Sequence, residues 1–343
     1  MKRIPMQQLI DFGTELLQKR GVPEENARYM SEIVVTTEAF RQSTHGLVQF
    51  KALLGALNDS VDPAAEPKVV NETAAGALVD GNHSIGNLAM KLAKTLAVAK
   101  ARDQGVGFVA VRDSQWIGAV GIHMISIAEE GLLGLAYAQT NTCKDCAPVG
   151  GYDARFSTNP LAIAFPGKSA PVVADFSTAT MSMGAAMGMV AEGESADVPR
   201  FIDKEGNATT DASVMTDDGT LMFMGLETDG HKGYALSLFV EALVAMSGGS
   251  ANNPEKETTQ SFGLLVLDPA AFGGASYYTQ EVSRFLDHVK SSRIRPGAKE
   301  IRLPGERGFN ALEDCRANGV PLDDAKLEML RTLAGDVGIE PPV

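Results

Sequence analysis

Cysteine, tryptophan and positive charge are scarce in this sequence. Three cysteines in 343 residues do not make a disulfide framework. Cys143 and Cys146 form a Cys-x-x-Cys, but no second pair follows. A four-ligand zinc site is therefore not expected, and a reduced intracellular thiol pair is a better reading than a redox dithiol. Lys and Arg number 30 against 43 Asp and Glu, a net charge of -13. That balance argues against nucleic acid or an anionic membrane as the main partner, since both are bound by clustered basic side chains. It leaves room for a small anionic substrate, because one local cation can hold a carboxylate. No uncharged stretch reaches the length of a membrane span, and residues 1–12 show neither the apolar run nor the cleavage site of a secretory signal. The expected location is cytoplasmic.

Several chemical signatures are missing too. His45, His83, His123, His231 and His288 have no i, i+4 partner, so no metal site is expected. There is no Gly-x-Ser-x-Gly elbow and no P-loop. Gly105-x-Gly107 is not a dinucleotide fingerprint. Its glycines precede a strand instead of following one, and Ala110 stands where the third glycine belongs. A standard Rossmann domain is not supported.

What is present reads as a soluble globular chain, 44% hydrophobic and 21% charged, long enough for one large or two ordinary domains. Three helical patterns open it: residues 6–19, a second starting at Pro23-Glu24-Glu25, and a third ending near Leu57. They lack the basic recognition face of a DNA-binding helix-turn-helix. A Pro/Asp-rich connection at 59–67 places a boundary near residue 70. Beyond it, helices (88–104, 122–130, 231–247, 279–292) alternate with short apolar strands (105–111, 132–139, 161–165, 172–174, 262–268), which argues α/β. A hairpin with Glu205-Gly206-Asn207 at its tip is expected over 201–210, an extended element over 301–307, and a helix from Leu322.

One stretch invites chemistry. Arg41-Gln42-Ser43-Thr44-His45-Gly46 breaks two helical patterns and carries a His that can be held still while reaching a ligand. A lone His at a helix end is more often a cap or a surface residue, and its own neighbourhood does not overturn that reading. The polar turn 113–121 leads from strand to helix, a place where backbone N–H groups can meet an anion, and His231-Lys232 starts a long helix.

The ordered set Thr44-His45-Gly46, Gly118-Ala119-x-Gly121, Ala147-Pro148-x-Gly150-Gly151, Thr158-Asn159-Pro160, Asp175-x-Ser177-Thr178, His231-Lys232-Gly233-Tyr234 and Leu303-Pro304-Gly305-Glu306 resembles the malate/L-lactate dehydrogenase family, which lacks a Rossmann fold. The stretch 175–184 looks closest to its 2,3-diketo-L-gulonate reductase branch. The resemblance implies an α/β fold with a mixed sheet. It also implies a mainly helical part formed by residues 1–70 with the C-terminal segment 285–343, around a cofactor-binding part at 71–284. It implies hydride transfer between NAD(H) or NADP(H) and C2 of a 2-oxo or 2-hydroxy acid, with His45 as proton donor and acceptor. Cofactor contacts then fall on Gly118, Ala119, Gly121, Asp175, Phe176, Ser177, Thr178, Ala179, Thr180, Met181, His231, Lys232, Gly305, Glu306 and Arg307. Substrate contacts fall on Ser43, Thr44, Gln49, Thr158 and Asn159. With no Arg or Lys near Ser177, Thr178 and Thr180, the lean is to NAD. A homodimer with the site near the subunit interface is implied as well.

The chain departs from its relatives at three points. Gln49 stands where many carry an Arg that grips the substrate carboxylate, so that either Arg41 or Lys51 compensates or the substrate presents its acid group differently. Gln115-Trp116 occupies a turn where relatives often have His, and Ala185 follows Gly184 where some have a charged residue. These departures motivate an alternative, a non-catalytic cofactor- or metabolite-binding member of the same fold.

Overall fold

The amphipathic spacing at the N-terminus folds as expected. In the computed structural model, which describes residues 1–57 and 59–342, Leu9, Phe12, Leu16 and Leu17 line the buried face of helix α1 (Met6–Gln18). Pro23 then precedes α2 (Glu24–Ala39), whose first-turn acids Glu24 and Glu25 suit the helix dipole. A single 3-10 turn, Ser43–His45, separates α2 from α3 (Val48–Ala56).

The sheet follows. Its strands are β2 (Lys68–Glu72), β3 (Gly76–Asp80), β4 (Val106–Ser114), β5 (Leu133–Thr140), β6 (Leu161–Phe165), β7 (Val172–Phe176) and β11 (Gln260–Leu267). Their order is β2-β3-β4-β11-β5-β6-β7. Only β3 and β4 run parallel; the other neighbours are antiparallel, so the sheet is mixed. Strand β11 arrives from late in the chain to the centre, where Phe262, Leu264 and Val266 are fully buried. Helices α4 (Gly86–Gln104) and α5 (Val120–Glu129) pack on the sheet.

The chain ends close over the N-terminal helices. Strand β1 (Lys2–Ile4) pairs with β12 (Val320–Leu322). Helix α10 (Glu306–Asn318) packs on α2, with the Phe40 and Phe309 rings edge to face at 5.0 Å, and α11 (Asp324–Val337) packs on α1 and α3. One apolar core runs without interruption from Leu9 through Val109 and Leu264 to Leu330. A smaller core around Phe156, Phe201 and Phe223 lies under the short sheet β10-β8-β9 (Thr220–Leu221, Phe201–Ile202, Ala208–Thr209). The remaining helices are α6 (Met183–Glu192), α7 (Leu226–Asp229), α8 (His231–Met246) and α9 (Ala275–Lys290).

Residues 183–192 form a helix, capped by the Ser182 hydroxyl accepting from the Ala185 N–H. One local expectation is corrected. Glu306 and Arg307 are the first turn of α10 and not part of an extended element; Gly305, at φ 90°, makes the bend that starts it. Among the described residues, no helix is long and apolar enough to cross a membrane.

Candidate active site

A cavity of about 480 Å³ opens where three segments meet: Arg41–His45, the turn from β4 into α5, and the stretch from Asp175 to Ser182. His45 ends the 3-10 turn, half-buried on the cavity wall. Its Nδ1 lies 2.9 Å from the Thr44 hydroxyl, and its ring stacks on Trp116 with centroids 5.7 Å apart and planes 16° off parallel. The imidazole is thus held on one edge and one face.

The backbone carrying His45 is tied down from beneath. Glu38, buried in the last turn of α2, accepts the Leu47 N–H at 3.1 Å and pairs with Lys326 of α11 at 2.6 Å. Gly46 passes so close that a Cβ there would overlap the Glu38 carboxylate and lie 2.9 Å from its Cα. Only glycine fits. Gln49 donates from Nε2 to the Thr44 carbonyl at 2.9 Å, which closes the turn from the other side.

Asp175, near the end of β7, faces His45 across the cavity and sits at the N-terminus of α5. Its Oδ2 accepts the Gly121 N–H at 2.8 Å and the Gln42 amide at 3.2 Å. A carboxylate there satisfies an unpaired helix donor and complements the dipole. Gly121 permits the approach, since a Cβ would lie 2.7 Å from that of Asp175. Burial raises the Asp175 pKa; the Gly121 N–H, the Gln42 amide and the nearby His45 oppose the rise. Burial lowers the His45 pKa below 6.5, and the Asp175 charge opposes that shift. The pair is therefore electrostatically linked.

The turn bearing Trp116 and Gly118 is pinned at Ile117. Its N–H donates to Gln260 Oε1 at 2.9 Å, while its carbonyl meets His123 Nε2 at 2.9 Å and the Asn87 amide at 3.2 Å. His123 is fully buried, and its pKa is pushed down to about 4 by that burial, so it stays neutral near pH 7. Here the buried imidazole is a structural group.

The cavity gathers Ser43, Thr44, His45, Gly118, Ala119, Thr158, Asp175, Phe176, Ser177, Ala179, Thr180 and Met181 from the expected set. Gly121 and Thr178 stand just behind the wall, Thr178 donating to the Thr158 carbonyl at 2.9 Å. Two expected substrate contacts make hydrogen bonds within the protein. Gln49 donates to the Thr44 carbonyl and does not line the cavity. Asn159 is fully buried; it accepts from Ser157 Oγ at 2.5 Å and donates to Ser237 Oγ at 2.8 Å and Glu241 at 2.9 Å, joining the strand to α8. His231 and Lys232 are exposed at the start of α8, Lys232 pairing with Asp229 at 2.7 Å, beside a second cavity lined by Pro148, Gly151 and Gly230. Gly305, Glu306 and Arg307 lie elsewhere again, with Glu306 held by Lys290 at 2.6 Å. Glu38, Gln42 and Met224 were given no contact or role from the sequence; the latter two line the cavity.

Cys143 and Cys146 are free thiols. Burial pushes Cys143 up to about 11 and raises Cys146 as well, the reverse of a reactive dithiol. Among the described residues, no group of His, Cys, Asp and Glu is placed to hold a metal ion.

The cavity wall supplies an imidazole, hydroxyl-bearing residues at Ser177 and Thr180, and small residues at Gly118, Ala119 and Ala179. A flat ring can lie against such small residues, so the donor set fits a nicotinamide beside a small acid.

Comparison with known proteins accords with this geometry. A family model described as malate/L-lactate dehydrogenase matches residues 4–331. A malate dehydrogenase of Pyrococcus horikoshii is 32% identical over 350 residues, covering 98% of this chain and 96% of the relative. Its solved structure aligns with a TM-score of 0.89 over 99% of this chain and 97% of that one. An L-sulfolactate dehydrogenase of Methanocaldococcus jannaschii is 30% identical, covering 95% of this chain and 94% of the relative. A Delta(1)-pyrroline-2-carboxylate/Delta(1)-piperideine-2-carboxylate reductase of Pseudomonas putida is 27% identical, covering 97% of each.

Proposed function

Because the chain belongs to the malate/L-lactate dehydrogenase family, we propose that it is a nicotinamide-dependent oxidoreductase acting at C2 of a 2-oxo or 2-imino acid. The observation that carries this reading is His45. It sits on the cavity wall, fixed by Thr44 and Trp116, opposite the Asp175–Met181 segment.

When bound, a reduced nicotinamide supplies the hydride that C2 accepts. As C2 gains that electron pair, the π pair of the C=O bond collapses onto oxygen. The oxygen takes the proton of the His45 imidazolium, leaving the ring neutral. Thr44 Oγ1 accepts from the Nδ1–H of the charged ring and leaves Nε2 to donate toward the substrate. Asp175 stabilises the imidazolium through its charge, so that burial alone does not set the basicity of His45. In the oxidising direction the neutral ring takes the hydroxyl proton.

Ser177 and Thr180 line the cavity at the proposed nicotinamide end of the cofactor, with Ser177 Oγ bonded within the chain to the Thr158 carbonyl and the Ala179 N–H. His231, Lys232 and Gly305–Arg307 are proposed contacts for the remainder, since they lie outside the cavity. Arg200 donates from Nη1 to the Thr180 carbonyl at 3.4 Å, so a basic side chain stands beside that segment and the lean to NAD rests on the sequence alone. A homodimer is proposed as well. The outer face of α8 exposes Leu236, Leu238, Phe239 and Met246, an apolar surface that a second copy would cover.

The test follows nicotinamide absorbance over a panel of 2-oxo monoacids, dicarboxylates, diketo-sugar acids and cyclic imino acids. Turnover of one class supports the reading. Cofactor binding without turnover across the panel would favour the non-catalytic alternative. His45→Gln should retain cofactor affinity and lose roughly 10²–10⁴ in rate; unchanged turnover would remove His45 from the chemistry.

A further inference from the structure

We infer that Arg41 is the residue that grips the acid group of the substrate, and that the cavity is built for a single acid group. The inference rests on the proposed 2-oxo acid chemistry and deepens it.

Charge in the cavity is sparse. Among the described residues lining it, the charged or titratable side chains are Arg41, His45 and Asp175, and Arg41 is the only Lys or Arg. Asp175 is engaged by Gly121 and Gln42 and repels a second anion. Burial favours the neutral form of His45. Among the described residues of this chain, a carboxylate entering here therefore has one fixed positive partner.

Arg41 is free to act. Its exposed guanidinium makes no hydrogen bond or ion pair with the rest of the described chain. Its charge is felt by Asp314, which is already bonded to Arg3 at 2.8 Å and to Asn318 at 2.8 Å. The other sequence candidates drop out: Gln49 is tied to the Thr44 carbonyl, and Lys51 does not line the cavity. A guanidinium presents a planar fork that matches a carboxylate with two parallel hydrogen bonds.

The backbone says the same thing independently. Arg41 sits at φ 68°, the left-handed region that favours glycine. A glycine would relieve this strain, so stability does not account for an arginine here. The local turn, closed by the Arg41 N–H on the Glu38 carbonyl at 3.0 Å, needs the conformation but not the side chain.

The consequence concerns substrate class. Relatives named malate and sulfolactate dehydrogenases act on compounds with two acidic groups. With Arg41 the one Lys or Arg among the described lining residues, this cavity favours 2-oxo or cyclic 2-imino monocarboxylates over dicarboxylates. The experiment compares the unaltered enzyme with Arg41→Gly, Arg41→Gln and Arg41→Lys, using pyruvate, its amide and oxaloacetate as probes with saturating reduced nicotinamide. The expected result is a KM for pyruvate raised roughly 10–100-fold in the Gly and Gln variants, with the loss falling on KM far more than on kcat. The preference for pyruvate over its amide should collapse in the same two variants, and Lys should restore part of it. Arg41→Gly alone should raise the melting temperature, which separates charge from backbone strain.

A pyruvate KM unchanged in Arg41→Gly would overturn the inference while the 2-oxo acid reading stood. Oxaloacetate turned over more efficiently than pyruvate by the unaltered enzyme would overturn the single-acid assignment. If the unaltered enzyme reduces none of the 2-oxo or imino acids, the functional reading fails and this inference falls with it.

Discussion

Glu38 offers the sharpest test of how the fold holds its active site. Its side chain is 4% exposed and pairs at 2.6 Å with Lys326, which is 21% exposed. It also satisfies the buried N–H of Leu47, two residues past His45. Glu38→Ala removes both. Breaking a buried pair from one side costs about 3–5 kcal/mol, and a stranded buried N–H about 1–3 kcal/mol. Both losses come from one carboxylate, and Lys326 can turn partly to water, so they do not add; the expected total is about 3–4 kcal/mol. At about 2.1 cal/mol/K per residue, a chain of this length has a melting entropy near 0.7 kcal/mol/K, so the melting temperature should fall roughly 4–6 °C. Glu38→Gln keeps an acceptor for Leu47 and should lose less. Replacing both partners, as in Glu38→Ala with Lys326→Met, should recover part of the loss, because no unpaired charge is left inside. Since the same carboxylate holds the turn bearing His45, kcat should fall roughly 10–100-fold in Glu38→Ala with cofactor affinity unchanged. Calorimetry and steady-state kinetics on the four proteins decide the matter. A melting temperature within about 1 °C of the parent, or normal kcat in a clearly destabilised Glu38→Ala, would refute the link from α11 to the catalytic loop.

The remaining predictions concern proton chemistry and close packing. Reduction needs His45 charged, and burial lowers its pKa, so kcat/KM for reduction should fall as pH rises through a midpoint below 6.5, with oxidation showing the mirror profile. Asp175→Asn removes the charge that opposes this shift and should move the midpoint to lower pH; a move upward would contradict the assignment. Trp116 is the only tryptophan and stacks on His45, so its emission should titrate with the same midpoint, and a pH-independent emission would show that the stack does not report His45. Gly121→Ala should cost about 1–3 kcal/mol and most of the activity, because its Cβ would drive the Asp175 carboxylate off the helix end. Gly184→Ala, whose Cβ would meet Thr44 Cβ at 3.2 Å, should cost under about 1 kcal/mol, and equal losses in the two variants would undo the packing argument.

Which parts of this molecule could be read from sequence depends on whether the controlling interaction is local. Helix α1 and strand β11 announce themselves through periodic apolar residues, because each residue's burial follows from its own neighbours in the chain. Helix α10 does not: it opens on Glu306-Arg307-Gly308 and buries only a few positions, Ala311, Leu312 and Cys315 among them, so its apolar stripe is too thin to stand out. The candidate site divides in the same way. His45 and the Asp175–Met181 segment were legible through the ordered set of motifs, not through their own neighbours in the chain. Glu38 was not, because its role is defined by Lys326, 288 positions away, and the role of Asp175 as partner of the α5 N-terminus depends on Gly121, 54 positions away. Gln49 and Asn159 show the converse. A polar side chain in a motif looks like a ligand contact until its hydrogen bonds are counted, and both spend theirs inside the protein. Arg41 passes that count, with a charged fork that forms no hydrogen bond or ion pair among the described residues and a backbone conformation that stability does not favour. Sequence offers residue types; the assignment of donors and acceptors decides which of them remain available to a substrate.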